Sequence, residues 1–167
     1  FMAHVIIVLM IDAADIAHYR DFLSDNVRWT LDANGTLTLT GEGAMCACHQ
    51  VIYGGSYFIV SPWYNLRNDV KCVVIGDGIT NVGQMCFQDC ENLTDVVLPV
   101  SIRGMGQDTL KNTSVSDIWY KGTEEQWNAI TKQSGSTRGT IHYNYGAEPE
   151  PTPEPTPEPT AVPTTEP

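Results

Sequence analysis

One pattern occurs twice in this chain, at a fixed offset. Val70 maps onto Leu93, Ile75 onto Leu98 and Ile79 onto Ile102. Val82 maps onto Met105, Gly83 onto Gly106 and Phe87 onto Leu110. A third, partial copy starts at Val115, one position short of the same offset from Leu93. A unit of this length cannot bury its own apolar face and must stack on its neighbours. The expected architecture is a short, β-rich α/β solenoid. Solenoids bind partners more often than they transform them.

Each copy opens with a short strand, predicted at Val73–Ile75, Val96–Leu98 and Ile118–Tyr120. A turn and a second apolar stretch follow, then a brief helical turn around Phe87 or Leu110. Val27–Leu31 and Thr36–Thr40 alternate polar and apolar residues and flank Asp32-Ala-Asn-Gly35. This predicts a β-hairpin as the N-terminal cap, because Asn and Gly tolerate positive φ. Met45 to Ile59 reads as an irregular loop. Trp63, after Pro62, is large enough to plug an open end of the stack. At the other end, Thr123-Glu-Glu-Gln126 is a capping box opening a helix through Trp127 and Ile130. With a last strand at Gly139–Tyr143, it forms a helix-strand C-terminal cap.

The last 21 residues are a different material, with eight of the ten prolines and five of the twenty acids. Without them, fifteen acids face nine bases, a net charge of −6. That acidity argues against a nucleic-acid partner or an anionic membrane surface. The tail has little apolar surface to offset the entropy of ordering. Residues 147–167 are therefore expected to be a disordered Pro/Glu/Thr-rich linker, extended as polyproline II. Residues 1–22 begin with an apolar stretch too short to span a bilayer. It reads either as a signal-peptide remnant or as a strand or helix packed on the first cap. Residues 23–146 are the expected repeat domain, which does not insert into a membrane, and the chain reads as part of a longer protein.

The repeat and its flanks resemble the BspA-type leucine-rich repeats of bacterial surface proteins. The resemblance is carried by Ile79-Thr-Asn-Val-Gly83, Cys86-Phe87, Cys90 and Leu93-Thr-Asp-Val-Val-Leu-Pro99. The hairpin from Trp29 to Met45, Pro62-Trp-Tyr64 and Tyr120 to Ile130 add to it. It covers roughly residues 23 to 146. It implies secretion or surface display, a protein or glycan ligand on a host or neighbouring cell, and no common catalytic site. A second reading makes the domain an accessory module of a secreted enzyme whose catalytic domain lies outside this chain.

Chemistry-bearing groups are sparse. Five cysteines cannot form a complete disulfide framework. Cys86 and Cys90 fall at apolar positions of the repeat, where the next copy has Thr109 and Thr113. Cys46-Ala-Cys-His49 invites a zinc or thiol reading, but a closed structural site takes four ligands and only three groups stand here. The cysteines therefore read as incidental, and no catalytic, metal or cofactor residue is assigned. Gly104-Met-Gly106 reads as turn chemistry, not a phosphate loop. Sequons at Asn34, Asn92 and Asn112 read as turn residues.

The candidate ligand face comes from strand alternation. With Val73, Ile75, Val96, Leu98, Ile118 and Tyr120 turned inward, Val74, Val97 and Trp119 stand outward in one column. Cys72, Asp95 and Asp117 form the column beside it. An apolar ladder with acids at its edge suits a protein or a glycan. The competing reading is that the tyrosine-rich insert or a neighbouring chain covers it.

Overall fold

The computed structural model describes residues 26–45, 49–53 and 56–146. The expected signal-peptide remnant, the expected linker, Cys46 and Cys48 lie outside the described residues.

The chain winds as a stack of short coils whose strands fall into two parallel ladders. It opens with the hairpin β1 (Val27–Leu31) and β2 (Thr36–Gly41), paired antiparallel with Trp29 opposite Leu39. The turn differs from the expected Asn-Gly form. Only Gly35 takes positive φ there, at 88°. Asp32 organises the loop, its Oδ1 accepting from the Asn34 and Thr36 amides at 2.9 and 2.8 Å. Gly35 is fixed for a second reason: a Cβ there would sit 2.4 Å from the Asp69 carbonyl oxygen.

The next strand is β3 (Gly43–Ala44). The stretch expected to be an irregular loop is instead a second antiparallel hairpin, β4 (His49–Tyr53) with β5 (Ser56–Val60), and Tyr53 faces Ser56 in its register. Val51-Ile-Tyr53 and Tyr57-Phe-Ile-Val60 are β-branched and aromatic runs on either side of Gly54-Gly55 in sequence. That is the composition of a hairpin, and the density of Cys, Tyr and Gly obscured it.

A 3-10 turn at Tyr64–Leu66 leads into the coils. They carry β6 (Cys72–Ile75), β7 (Ile79–Val82), β8 (Asp95–Leu98), β9 (Gly104–Met105) and β10 (Asp117–Tyr120). The helix α1 (Glu124–Ala129), β11 (Thr131–Lys132) and β12 (Thr140–His142) finish the stack. The main sheet has the order β1-β2-β6-β8-β10-β12, parallel from β2 onward. The second sheet, β11-β9-β7-β3, is also parallel. Gly104 and Met105, expected to be a turn, are a strand. A Cβ on Gly104 would lie 2.4 Å from Asn81 Nδ2, so glycine here serves close approach between coils.

The third side of each coil is made of turns, not the helical turns expected around Phe87 and Leu110. Met85 and its repeat mate Asp108 take positive φ, and so do Asp89 and its mate Asn112. A left-handed residue breaks a helix within a turn. The freed backbone groups bond to the next coil instead. Phe87 N donates to Thr109 O at 3.1 Å and Asp89 N to Lys111 O at 3.0 Å. The Asn112 and Asn92 amides donate across coils to Asp89 Oδ1 and to the Asn68 carbonyl, as turn residues do.

Three inward faces meet in one core. Val73, Ile75, Val96, Leu98, Ile118 and Tyr120 come from the main sheet, Ile79 and Met105 from the second sheet, and Ile102 from the bend before β9. Phe87 and Leu110 come from the turns. Cys86, Cys90, Thr109 and Thr113 are all buried beside them. The threonines satisfy their hydroxyls locally: Thr109 Oγ1 donates to Gly106 O at 2.7 Å and Thr113 Oγ1 to Leu110 O at 2.8 Å. That is why Cys and Thr interchange between copies. Both are small, cysteine packs as an apolar group, and the threonine hydroxyls find backbone acceptors.

Both ends are closed by tryptophan. Trp63 is fully buried, stacked on Phe87 at 5.6 Å and edge-on to Trp29 at 6.1 Å. Its indole donates to Cys86 O at 2.8 Å. At the far end α1 lays Trp127 against Tyr120 at 5.4 Å. The capping box is present: Gln126 N donates to Thr123 Oγ1 and Thr123 N to Gln126 Oε1. Lys132 Nζ caps the helix carbonyls of Trp127 and Ile130. No helix among the described residues is long and apolar enough to cross a membrane.

Candidate binding face

The outward side of the main sheet carries two columns fixed by register. Val74 pairs with Val97, and Val97 with Trp119. Cys72 pairs with Asp95, and Asp95 with Asp117. The five candidate residues therefore lie together on three adjacent strands. The register adds a fourth rung: Trp119 pairs with His142 and Asp117 with Thr140 on β12.

The side chains interlock. The rings of Trp119 and His142 stack with centroids 4.0 Å apart and planes 14° from parallel. Tyr145, one of the exposed large apolar residues, tilts against Trp119 at 5.3 Å. The Trp119 indole Nε1 donates to Asp95 Oδ1 at 2.9 Å. His142 Nε2 and Asp117 Oδ1 are 2.6 Å apart. Thr94 and Ser116, each just before an acid, donate their hydroxyls to Asp95 Oδ2 and Asp117 Oδ2, both at 2.7 Å. The His142 contact first, and the Ser116 hydroxyl second, hold Asp117 below the usual carboxylate range. Each acid is thus oriented by a neighbouring hydroxyl and an aromatic ring from the next strand.

One detail departs from a uniformly exposed ladder. Val97 is only 8% exposed, while Val74, Trp119 and His142 are half-buried. His142 lies on the β12 side of Trp119, so the opposite face of the indole is turned toward β8 and β6. Trp119 reaches from β10 toward β8 through its bond to Asp95, and Val97 beneath is nearly covered.

His142 and Tyr145 were not among the expected site residues. A signal for His142 was present, because Thr140-Ile-His follows Asp117-Ile-Trp at the repeat offset and repeats its inward isoleucine. Tyr145 follows the last strand and had no periodic signal.

The other chemical candidates do not join this face as reactive groups. Burial, then the charges of Asp95 and Asp32, push the Cys72 thiol up. Burial pushes Cys90 up to about 12. Thiols held protonated in this way are poor nucleophiles. Cys46 and Cys48 are outside the described residues, and His49 is the first residue of β4. Among the described residues no group of three His, Cys, Asp or Glu side chains is placed to hold a metal ion.

The architecture is that of the solved leucine-rich repeat protein from Eubacterium ventriosum, with a TM-score of 0.53 and 24% identity over 68% of this chain. This is a leucine-rich-repeat fold. It is the fold that the resemblance in the sequence implies. The leucine-rich-repeat chain covers 27% of that structure. A leucine rich cell surface protein from Faecalibacterium prausnitzii is 22% identical, with 60% of this chain and 32% of its own aligned at a TM-score of 0.29. A leucine-rich repeat protein from Bacteroides ovatus is 15% identical, with 68% and 37% aligned at 0.28. The chain therefore spans roughly a third of the length of these structures. It matches no protein-family model and no curated protein.

Proposed function

We propose that this leucine-rich-repeat domain is a non-enzymatic interaction module of a bacterial surface protein, and that it meets its partner through the outward face of the main sheet. The supporting observation is the register that gathers Val74, Val97 and Trp119 in one column, with Trp119 braced by Asp95, His142 and Tyr145. Stacked repeats offer extended surfaces for binding. A tryptophan held in place by its neighbours loses little freedom when a ligand arrives, and this is the character of a binding hot spot. The surface location rests on the BspA-type resemblance, and the acidic, Pro-rich tail has the composition of a spacer.

The test compares the purified domain with its Trp119→Ala variant for binding to intact bacterial and epithelial cells. Trp119 lies outside the buried core cluster, so the variant should keep its circular dichroism and most of its thermal midpoint. It should lose about 2 kcal/mol of binding or more, roughly thirtyfold in affinity. A folded variant that binds undiminished removes this face.

A further inference from the structure

We propose that the outward side of the second sheet is a further binding site, separate from the Trp119 face, and that it takes an acidic sugar. Arg103 holds the ring carboxylate, and side-chain amides hold the ring hydroxyls. The inference does not depend on the reading of the main sheet.

The second sheet is recessed at its middle rung. Gly104 on β9 pairs with Asn81 on β7 and with Thr131 on β11. Both partners are exposed and carry side chains, and Gly104 carries none. One step on, Gly106 is bare as well. Its N donates to Val82 O at 2.9 Å, and in the next coil Gln133 N donates to Met105 O at 3.1 Å. The result is an open groove of about 590 Å³. That volume is within the range of small-molecule sites.

Side-chain amides supply much of its polar lining. Asn81, Gln84 and Gln133 border the groove, with Thr131 beside them. The Asn81 carboxamide lies in the space a side chain at 104 would fill, its Nδ2 2.4 Å from where that Cβ would sit. Gln133 Oε1 accepts from Gln107 N at 2.9 Å, which fixes the side chain and leaves its Nε2 donors for a ligand. A carboxamide both donates and accepts, as a sugar hydroxyl does.

One cation completes the site. Arg103 stands where the preceding copy has Thr80. Its Nη1 donates to Val100 O at 2.8 Å and to Ile102 O at 3.1 Å. These bonds set the guanidinium in place and bring no negative charge to it. Its Nε–Nη2 edge is the kind that grips a carboxylate with two parallel bonds. Among the described residues no carboxylate lies within ion-pair distance of Arg103. Among the described residues that line the groove, Arg103 is the one charged side chain, and no aromatic ring is present. A neutral sugar would therefore lack a stacking surface, whereas a carboxylate finds the fork. An acidic peptide also needs places for its other side chains. The apolar lining, Met45, Val82 and Met105, is buried in the core and offers none.

The test adds four probes to the full chain labelled with nitrogen-15. They are a uronic-acid tetrasaccharide, its methyl ester, sialyllactose and a blocked octapeptide of glutamate and glycine. One or both carboxylated sugars should move the Gly104 and Gly106 amides, the Asn81 side-chain amide and the Arg103 Nε–H resonance. Whichever binds identifies the class of acid. The methyl ester keeps the shape and loses the charge, so it should bind about tenfold more weakly than the tetrasaccharide or worse if the uronic acid is the ligand. Arg103→Lys keeps the charge without the fork and should weaken the bound sugar, with Arg103→Gln weaker still. Asn81→Ala, at an exposed strand position, should weaken it roughly threefold. An ester that binds as tightly as the acid would overturn the inference in wild-type protein, whatever the variants do. So would an octapeptide that moves these resonances where the sugars do not, which would assign the groove to a peptide. Sugar-induced shifts confined to the Trp119 indole would place the sugar on the main sheet and remove the second site. If no probe moves the groove resonances, the acidic sugar is ruled out.

Discussion

Phe87 shows how much one residue carries in a core this thin. It is 1% exposed, stacked on Trp63, and its repeat mate Leu110 is 2% exposed one coil away. Phe87→Ala leaves a hole that the adjacent coils, tied by backbone hydrogen bonds, cannot close. The expected cost is about 3 to 5 kcal/mol, read as a drop in the urea midpoint with little change in slope. Asp117 makes an opposite kind of contribution, electrostatic and at the surface. Its carboxyl is held below its ordinary 3.8 by the contact to His142 and then by the Ser116 hydroxyl. A depressed carboxylate pKa means that the folded state favours the charged form. The contribution is therefore complete above the unfolded value and disappears as pH falls through the lower, folded one. A carbon-13 titration of the Asp117 carboxyl should show its midpoint below 3.8, and Ser116→Ala should move it upward. At this scale the sequence was informative wherever a side chain repeats. Phe87, Leu110 and the Cys-to-Thr exchanges follow from the pairing of the two copies. Tyr145 does not, because its place against Trp119 depends on where the chain goes after its last strand.

At the scale of elements, legibility followed period. Strands β1 and β2 alternate in sequence, and β6, β8 and β10 are placed by the repeat that pairs them. The second hairpin, β4 and β5, was hidden because its strands are apolar runs without alternation, and such runs do not declare their structure by periodicity. The turns at Gln84–Asp89 and Gln107–Asn112 contain a plausible helical spacing, yet left-handed residues at Met85, Asp89, Asp108 and Asn112 redirect the backbone toward the next coil. Here coil-to-coil hydrogen bonding overrode local helix preference. The helix α1 is the reverse case, announced by its capping box. It is only six residues long, and its first turn depends on that cap. Thr123→Ala should cost about 1 kcal/mol. The loss should show in faster amide exchange at Gln126 and Trp127 before it shows in the global midpoint.

The repeat domain should unfold as one cooperative unit, because its core has no seam. A single buried cluster runs from Val27 in the first hairpin to Ile130 after the helix. Long repeat arrays can unfold piecemeal, but a short one held between two caps has no interior coil that is stable alone. Fluorotryptophan labelling gives a direct check. The fluorine-19 signals of Trp63 at one end and Trp127 at the other should disappear at the same denaturant concentration as the far-ultraviolet dichroism. Separate midpoints would mean that an end unit melts independently.

The spacing between rungs has a consequence for growth. The step from Asp95 to Asp117 is one position shorter than the steps from Cys72 to Asp95 and from Asp117 to Thr140, yet the four stay in register. The second ladder absorbs more still, since Gly104 pairs with Thr131, with α1 inserted between them. Slack is taken up in the bends, and the main sheet stays in step. The fold thus works as an expandable ruler. One more copy of the repeat, entered between the two tryptophan plugs, lengthens the outward face by one strand's width, about 4.8 Å. Both ends stay sealed as it does so. Reach can be adjusted by whole rungs, leaving the pieces that keep the stack closed untouched.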